Sequence, residues 1–369
     1  MRKLYYFLFC SLLFTACQNP EKPVIRTTQA PEKEQFEQFS TKKSQEFDTY
    51  FERLNKIQKF NGTILIEQND SIYKRALGYS RLKEKTPLRL NHAFQLASVS
   101  KPLTATAIMQ LVADGRLELD EKVQDILPGF PFDFINVKML LKHRSGLANY
   151  MYITDTAWTE HQTPMCLSDA VNHFNKSKPL PYFPVNRRFN YCNTNYMLLA
   201  AIVEAKTEQA FEEYMFQELF KPFGMDHSFI YTDSNYVNLP EIAVGHDYRK
   251  RPIPDFYLNG IPGDKGAYST VEDLHSFVRN LNDGKIIPDS LVNLMQTPQH
   301  PLKVNGKTYG MGWRIRKRAD GSTIVFHHGW WRGYKTYLIT DPSRNLTIIL
   351  LTNWIKAGSM NQEELLNLI

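Results

Sequence analysis

The chain has 369 residues, 43% hydrophobic and 13% aromatic, which supplies material for a substantial core and excludes a disordered chain. Its formal charge is +6, and without Arg2 and Lys3 it is +4, spread over interspersed cations and anions; no basic stripe for nucleic acid appears. Neither a G-x-x-x-x-G-K-[ST] phosphate loop nor an H-E-x-x-H metal motif occurs, so no cofactor and no metal is expected.

Arg2 and Lys3 precede "LYYFLFCSLLFTA", too short for the roughly 20 residues a bilayer span needs, and residues 1–16 read as an export signal. The segment ends in Phe14-Thr15-Ala16-Cys17, which resembles the bacterial lipobox with Phe14 where Leu is usual. That resemblance implies cleavage before Cys17, a lipid on Cys17, and attachment to a membrane in the cell envelope, facing the periplasm. Residues 17–44 are then the lipidated cysteine and a flexible tether rich in Pro, Glu, Lys, Gln and Thr. Cys166 and Cys192 remain; two cysteines make no disulfide framework, and buried free thiols are expected.

Ordered structure is expected from residue 45, where Phe47, Tyr50, Phe51, Leu54 and Ile57 recur at helical spacing. "FNGTILIEQNDSIYKRALGYS" reads as two strands around Asn69-Asp70-Ser71. In "QLASVSKPLTATAIMQLVADG" an apolar run turns into a helix at Ser98, carrying Leu103, Ile108, Leu111 and Val112 and closed by Gly115. Residues 120–260 read as short helices and loops. From Gly266 the pattern gives a helix at "STVEDLHSFVRNLNDG", strands at "YGMGWRI", "STIVFHH", "YKTYLITD" and "LTIILLTN", and a last helix at "NQEELLNLI". The expected architecture is an α/β lobe from about 45–115 and 262–369, with a mainly helical lobe, about 116–261, inserted.

Ser98 and Lys101 stand three apart, a spacing that puts both on one helix face within reach of each other. A serine hydroxyl is inert until a base takes its proton. A lysine ordinarily titrates near pH 10.4 and serves as that base only when burial and nearby positive charge strip its proton. Taken alone, the pair reads rather as a serine capping a helix beside a solvated lysine.

Two further stretches add chemistry: Tyr191-Cys192-Asn193 in "FNYCNTNYMLL" and His327-His328-Gly329 in "FHHGWWRGY". With them the chain resembles the serine β-lactamase and penicillin-binding-protein superfamily, in its class C β-lactamase-like branch of D,D-peptidases, esterases and aminopeptidases. There Ser-x-x-Lys, Tyr-x-Asn and a Lys/His-x-Gly strand occur in this order, and the likeness covers roughly residues 45–369. It implies a central antiparallel sheet flanked by helices. Ser98 becomes the acylated nucleophile, Lys101 its base, and Tyr191 a proton shuttle supported by Lys101 and, if protonated, His327. Asn193 would offer its amide to the acyl side of the substrate. His327, with His328 on the opposite face of the strand, would face the cleft. Gly329 would let substrate lie against the backbone as an added strand, and the main-chain N–H groups of Ser98 and Trp330 would form the oxyanion hole.

The sequence departs from the family pattern at Trp330-Trp331-Arg332, where small residues are usual; Arg332 binds a substrate carboxylate or lies on the surface. His143 and Ser145 in "LLKHRSGL" are expected to hold a loop, and Cys192 to be a small buried filler. The expected activity is acyl transfer to water on D-alanyl peptides, esters or amides, with β-lactams as the alternative substrates. A silent binding protein on the same scaffold and a membrane-surface module built on the tether are the competing readings. No G-x-S-x-G nucleophile elbow offers another serine hydrolase fold.

Overall fold

The computed structural model describes residues 36–159, 161–232, 241–302, 306–358, 360 and 362–369. The expected export signal and Cys17 lie outside the described residues. Among those described, Glu37–Gln38 forms a short strand, β1, and Ser40 caps helix α1, Thr41–Lys56, by accepting from the Lys43 N–H at 3.3 Å. Order therefore begins ahead of residue 45, inside the segment assigned to the tether. The expected apolar stripe holds at Phe47, Phe51 and Leu54, which are buried, whereas Ile57 follows the helix and is exposed.

Strands β2, Gly62–Gln68, and β3, Ser71–Leu77, pair antiparallel around Asn69 and Asp70. Both turn residues have positive φ, 49° and 63°, the backbone that matches the twist of a two-residue hairpin and that Asn and Asp tolerate. Four of the later strands, β5 (Arg314–Lys317), β6 (Thr323–Trp331), β7 (Tyr334–Asp341) and β8 (Leu346–Thr352), form an antiparallel run, with β4 (Lys307–Tyr309) at its edge. Together they make an eight-stranded sheet in the order β1-β3-β2-β8-β7-β6-β5-β4, antiparallel except for the β1–β3 pair. The two ends of the chain meet where β2 pairs with β8, from Gly62–Thr352 to Gln68–Leu346.

"YGMGWRI" is not one strand: Gly310–Trp313 breaks it between β4 and β5. Gly312 has a φ of 84° and its Cα faces Ala105, so an added Cβ would collide there. The Met311 N–H donates to Met295 O at 2.9 Å, and Trp313 buries its ring against Phe277. The chain turns inward there, and β5 restarts at Arg314.

One face of the sheet, with Ile64, Ile66, Tyr73, Ile348 and Leu350, is covered by α1 and the last helix, Gln362–Leu368. The other face, with Leu65, Leu338 and Ile349, belongs to a continuous core shared with the inserted helical segment. At its centre are α2, Ser100–Ala113, and α3, Asn193–Thr207. In α2 every residue from Ser100 to Leu111 is buried, Lys101 included. Gly115 follows α2 with φ of 67°, and the Arg116 N–H returns to Leu111 O at 2.9 Å, the expected left-handed closure.

Candidate active site

Ser98 does not open α2, as the sequence implied, but sits in a 3₁₀ turn, Ala97–Val99, just before it. Ala97 has a φ of 49°, left-handed backbone that an alanine rarely adopts, so the surrounding contacts must hold this turn. Three do so: Thr336 Oγ1 of β7 donates to Leu96 O at 2.7 Å, the Leu96 N–H donates to Ala267 O at 2.8 Å, and the Ala267 N–H donates to Ser100 Oγ at 3.1 Å. The turn is thereby pinned to the sheet on one side and to the Ala267–Ser269 strand on the other.

Lys101 Nζ donates to Ser98 Oγ at 3.2 Å and to Asp264 O at 2.8 Å, and its side chain is completely buried. Its ammonium also lies 5.0 Å from the ring centre of Tyr191 and 5.7 Å from that of Tyr196. Behind it is a buried polar cluster that sequence reasoning missed. Asp264 and Lys265 are ion-paired at 3.2 Å, and Tyr150 is hydrogen-bonded to both, through the Lys265 ammonium and, at 3.3 Å, an Asp264 carboxylate oxygen. Burial pushes the Lys265 ammonium below the usual lysine range; Asp264 opposes this and the charge of Lys101 adds to it. Lys265 further lies over the Trp331 ring, whose Nε1 donates to Asn259 at 2.8 Å.

Tyr191 lies just ahead of α3, its hydroxyl buried without a hydrogen-bond partner among the described residues. His143 packs its ring 4.4 Å from that of Tyr191, and its Nδ1 accepts from the Cys192 N–H at 3.2 Å and from Asn195 Nδ2 at 3.1 Å. Burial, then the charges of Lys101 and Arg314, hold His143 well below the usual histidine range, so it is a neutral acceptor that fixes the Tyr191 segment. Ser145 donates to Asn195 Oδ1 at 2.6 Å and accepts from the Leu147 N–H, so His143 and Ser145 do hold the loop. Cys192 is buried against the carbonyls of Leu147 and Ala148, its thiol pushed up by burial, as a filler would be. Cys166 is also free but exposed, contrary to the expected buried thiol.

Ser98, Tyr191, Gly329 and Trp330 line one cleft of about 600 Å³, together with Arg314, His328, Lys335, Tyr337 and Met360. The β5–β6 ladder ends at Arg314–Phe326, and β6 runs on to Trp331 beside this cleft. His327 and His328 point to opposite faces of β6, but their roles differ from expectation. His327 is on the face of Tyr191 and Tyr309, completely buried, with the Tyr309 hydroxyl 3.3 Å from its Nε2. Burial, then Arg314 and Lys101, hold it well below the usual range, so His327 is neutral and cannot be the protonated support for Tyr191. His328, its ring tilted against those of Phe326 and Tyr337, lines the outer cleft instead. A second cation beside Tyr191, with Lys101, is Arg314, 4.9 Å from its ring centre, which the sequence did not single out.

The structure gives three other predicted residues surroundings of their own. Asn193 directs Nδ2 at Met151 Sδ, 3.2 Å away, and its Oδ1 is buried without a partner among the described residues. Arg332 donates to the Pro254 carbonyl at 3.0 Å and lies over the face of Phe256, while its Nε is buried without a partner among the described residues. At Gly329 a Cβ would collide with Leu96 O and Thr336 Oγ1, so the glycine also lets β6 pass the Ser98 turn. Trp330 is 63% exposed at the cleft rim.

A serine on a pinned turn, a buried lysine in contact with it, and a tyrosine lining the same cleft define a serine hydrolase. A family model described as "Beta-lactamase" matches residues 47–366, and the chain belongs to that family. A penicillin-binding protein of Bacillus subtilis (strain 168) is 33% identical over 328 residues, covering 84% of this chain and 72% of that protein. Protein flp of Staphylococcus aureus (strain NCTC 8325 / PS 47) is 27% identical over 327 residues, 84% of this chain but only 63% of its own length. Among solved structures, a penicillin binding protein from Bacillus halodurans has a TM-score of 0.73 at 25% identity, over 84% of this chain and 95% of its own.

Proposed function

We propose that the protein forms an acyl-enzyme at Ser98 and hydrolyses D-alanyl peptides, esters or amides in the cell envelope. The observation that carries this reading is the 3.2 Å contact between Lys101 Nζ and Ser98 Oγ, made on the cleft that also holds Tyr191. Lys101 in its neutral form takes the Ser98 proton as Oγ attacks the carbonyl carbon, and the carbonyl oxygen becomes an oxyanion. The N–H groups of Ser98 and Trp330 receive that oxyanion, Trp330 standing on β6 beyond the end of the β5 ladder. The tetrahedral intermediate collapses as the proton passes through Tyr191 to the leaving oxygen or nitrogen. Water then attacks the acyl-enzyme, giving its proton back along the same path and releasing Ser98.

The kinship with a penicillin-binding protein supports peptides of the cell wall as the substrates to test first. A lipid on Cys17 would keep the catalytic domain near them; replacing Cys17 with Ser should then move the protein from the membrane to the soluble fraction.

The test is turnover of a panel containing a D-alanyl-D-alanine peptide, a D-alanyl ester, a D-amino-acid amide and a penicillin, each with Ser98→Ala in parallel. Turnover of at least one of the first three, lost in Ser98→Ala, supports the reading. Turnover of the penicillin alone would make the protein a β-lactamase, and no Ser98-dependent turnover of any would leave the silent binding protein.

A further inference from the structure

The family resemblance leads one to expect a cation on the strand that carries His327. That strand provides none on the nucleophile's face: His327 is completely buried and neutral, and His143, on the other side of Tyr191, is buried and neutral as well. Yet Tyr191 is flanked by positive charge. Lys101 lies 5.0 Å from its ring centre and the Arg314 guanidinium 4.9 Å.

These two charges are not equivalent during a reaction. Lys101 takes up the Ser98 proton and gives it away again through Tyr191, so its charge comes and goes within each acylation. A guanidinium stays charged at every pH at which the protein is folded. Arg314 reaches the cleft because the chain breaks at Gly310–Trp313 and β5 begins with it, paired with Phe326 and so beside His327. It lines the same cleft as Ser98 and Tyr191. Among the described residues, the other groups around Tyr191 are the rings of His143, Tyr196, Tyr309 and His327, and Lys335 lines the same cleft. None of the four rings is charged positive: the histidines are neutral, and burial pushes both tyrosine hydroxyls up.

We propose that Arg314 is the fixed cation that supports Tyr191 in proton transfer, supplied from the neighbouring strand in place of the charge that His327 lacks. When Tyr191 passes its proton to the leaving group, negative charge develops on the phenolic oxygen. Arg314 stabilises that charge, and the phenol regains its proton from Lys101, which was protonated when Ser98 attacked. Protons and charges balance within Ser98, Lys101, Tyr191 and the substrate, and Arg314 neither gains nor loses a proton. This inference rests on the acyl-enzyme reading above.

The experiment measures single-turnover acylation of Ser98 by acid quench and intact mass, using an uncharged phenyl ester and the same ester with a carboxylate on the leaving ring. Wild type, Arg314→Gln, Arg314→Met and Arg314→Lys are compared after their thermal transitions have been matched. A guanidinium 4.9 Å from the centre of the ring on which the charge develops supports an expected loss of roughly 10- to 100-fold in the limiting acylation rate of the Gln and Met variants. That loss should fall on both esters alike, with the half-saturating concentration within about threefold of wild type and with Lys restoring most of the rate. Acylation of the uncharged ester at the wild-type rate in both variants would overturn the proposal. So would a loss confined to the carboxylate ester and seen in half-saturation alone, which would make Arg314 a binding residue. If wild type itself forms no adduct at Ser98, it is the acyl-enzyme reading that fails.

Discussion

The Lys101 ammonium and the main-chain carbonyl of Asp264 meet at 2.8 Å, and this contact ties the proposed base to a buried charged cluster. Asp264 is also paired with Lys265 and hydrogen-bonded by Tyr150, so the carbonyl that orients Lys101 is held by its own side chain. Removing one partner of a buried pair leaves the other charge uncompensated, at a cost of about 3–5 kcal/mol. Lys265→Met should therefore lower unfolding free energy by that amount in guanidinium chloride titrations. Tyr150→Phe, which removes a neutral partner, should cost about 1–3 kcal/mol. A Lys265→Met protein as stable as wild type would mean that the cluster does not support the site.

Gly329 faces the Leu96 carbonyl and Thr336, the two groups whose hydrogen bond anchors the Ser98 turn. A valine there must push β6 or the turn aside, since both neighbours are fixed by the sheet. Gly329→Val should cost about 1–3 kcal/mol in stability and displace Ser98. The rate should suffer more than the fold, because a 1 Å misplacement alone can cost on the order of 100-fold. Thermal unfolding and Ser98 acylation, measured on one preparation, separate the two effects.

The two thiols within the described residues differ in exposure, Cys166 open at the start of the Leu167–Ser177 helix and Cys192 buried beside Tyr191. Burial raises the Cys192 thiol and denies reagents access. A disulfide reagent should label Cys166 within minutes and Cys192 only after denaturant is added. Peptide mapping of the labelled protein checks this, and rapid labelling of Cys192 in the native state would contradict the packing around Tyr191.

His143 and His327 are held well below the usual range, and His300 and His328 are held to about 4, in each case chiefly by burial. An unfolded histidine titrates near 6.5, so below that pH the unfolded chain binds protons that the folded one refuses. Stability from these groups is thus complete above pH 6.5 and falls as pH drops toward 4. The sign is that of a neutral buried base, opposite to a histidine in an ion pair. At pH 5 the loss should reach up to about 2 kcal/mol for each of His300 and His328. Denaturant midpoints measured from pH 7.5 to 5 should decline steadily, and a flat profile would contradict the neutral state of these side chains.

Much of this arrangement was legible in the sequence where local chemistry decides it. The Asn69-Asp70 turn, the Gly115 closure, the strand at "YKTYLITD" and the approach of Ser98 to Lys101 all depend on residues a few positions apart. What escaped depends on long-range register. Arg314 looks like any cation at the head of an exposed strand until its pairing with Phe326 places it beside Tyr191. "YGMGWRI" alternates like one strand, but the packing of Gly312 on Ala105 and of Trp313 on Phe277 breaks it. The identity of His327 as a neutral, buried side chain follows from the depth of the site, which strand alternation does not encode. Asp264 and Lys265 read as two loop charges, and only their burial with Tyr150 makes them part of the support for Lys101.

The central claim is covalent chemistry at Ser98 driven by Lys101. The most direct measurement is intact mass, acid-quenched at intervals from milliseconds to minutes after mixing with a penicillin and with an activated D-alanyl ester. Wild type, Ser98→Ala and Lys101→Met are run together. The expected result is a single acyl adduct that maps to Ser98, forms at least about 100-fold more slowly in Lys101→Met and is absent from Ser98→Ala. An adduct that persists in Ser98→Ala, or no adduct with either reagent while the wild-type protein is folded, would contradict it.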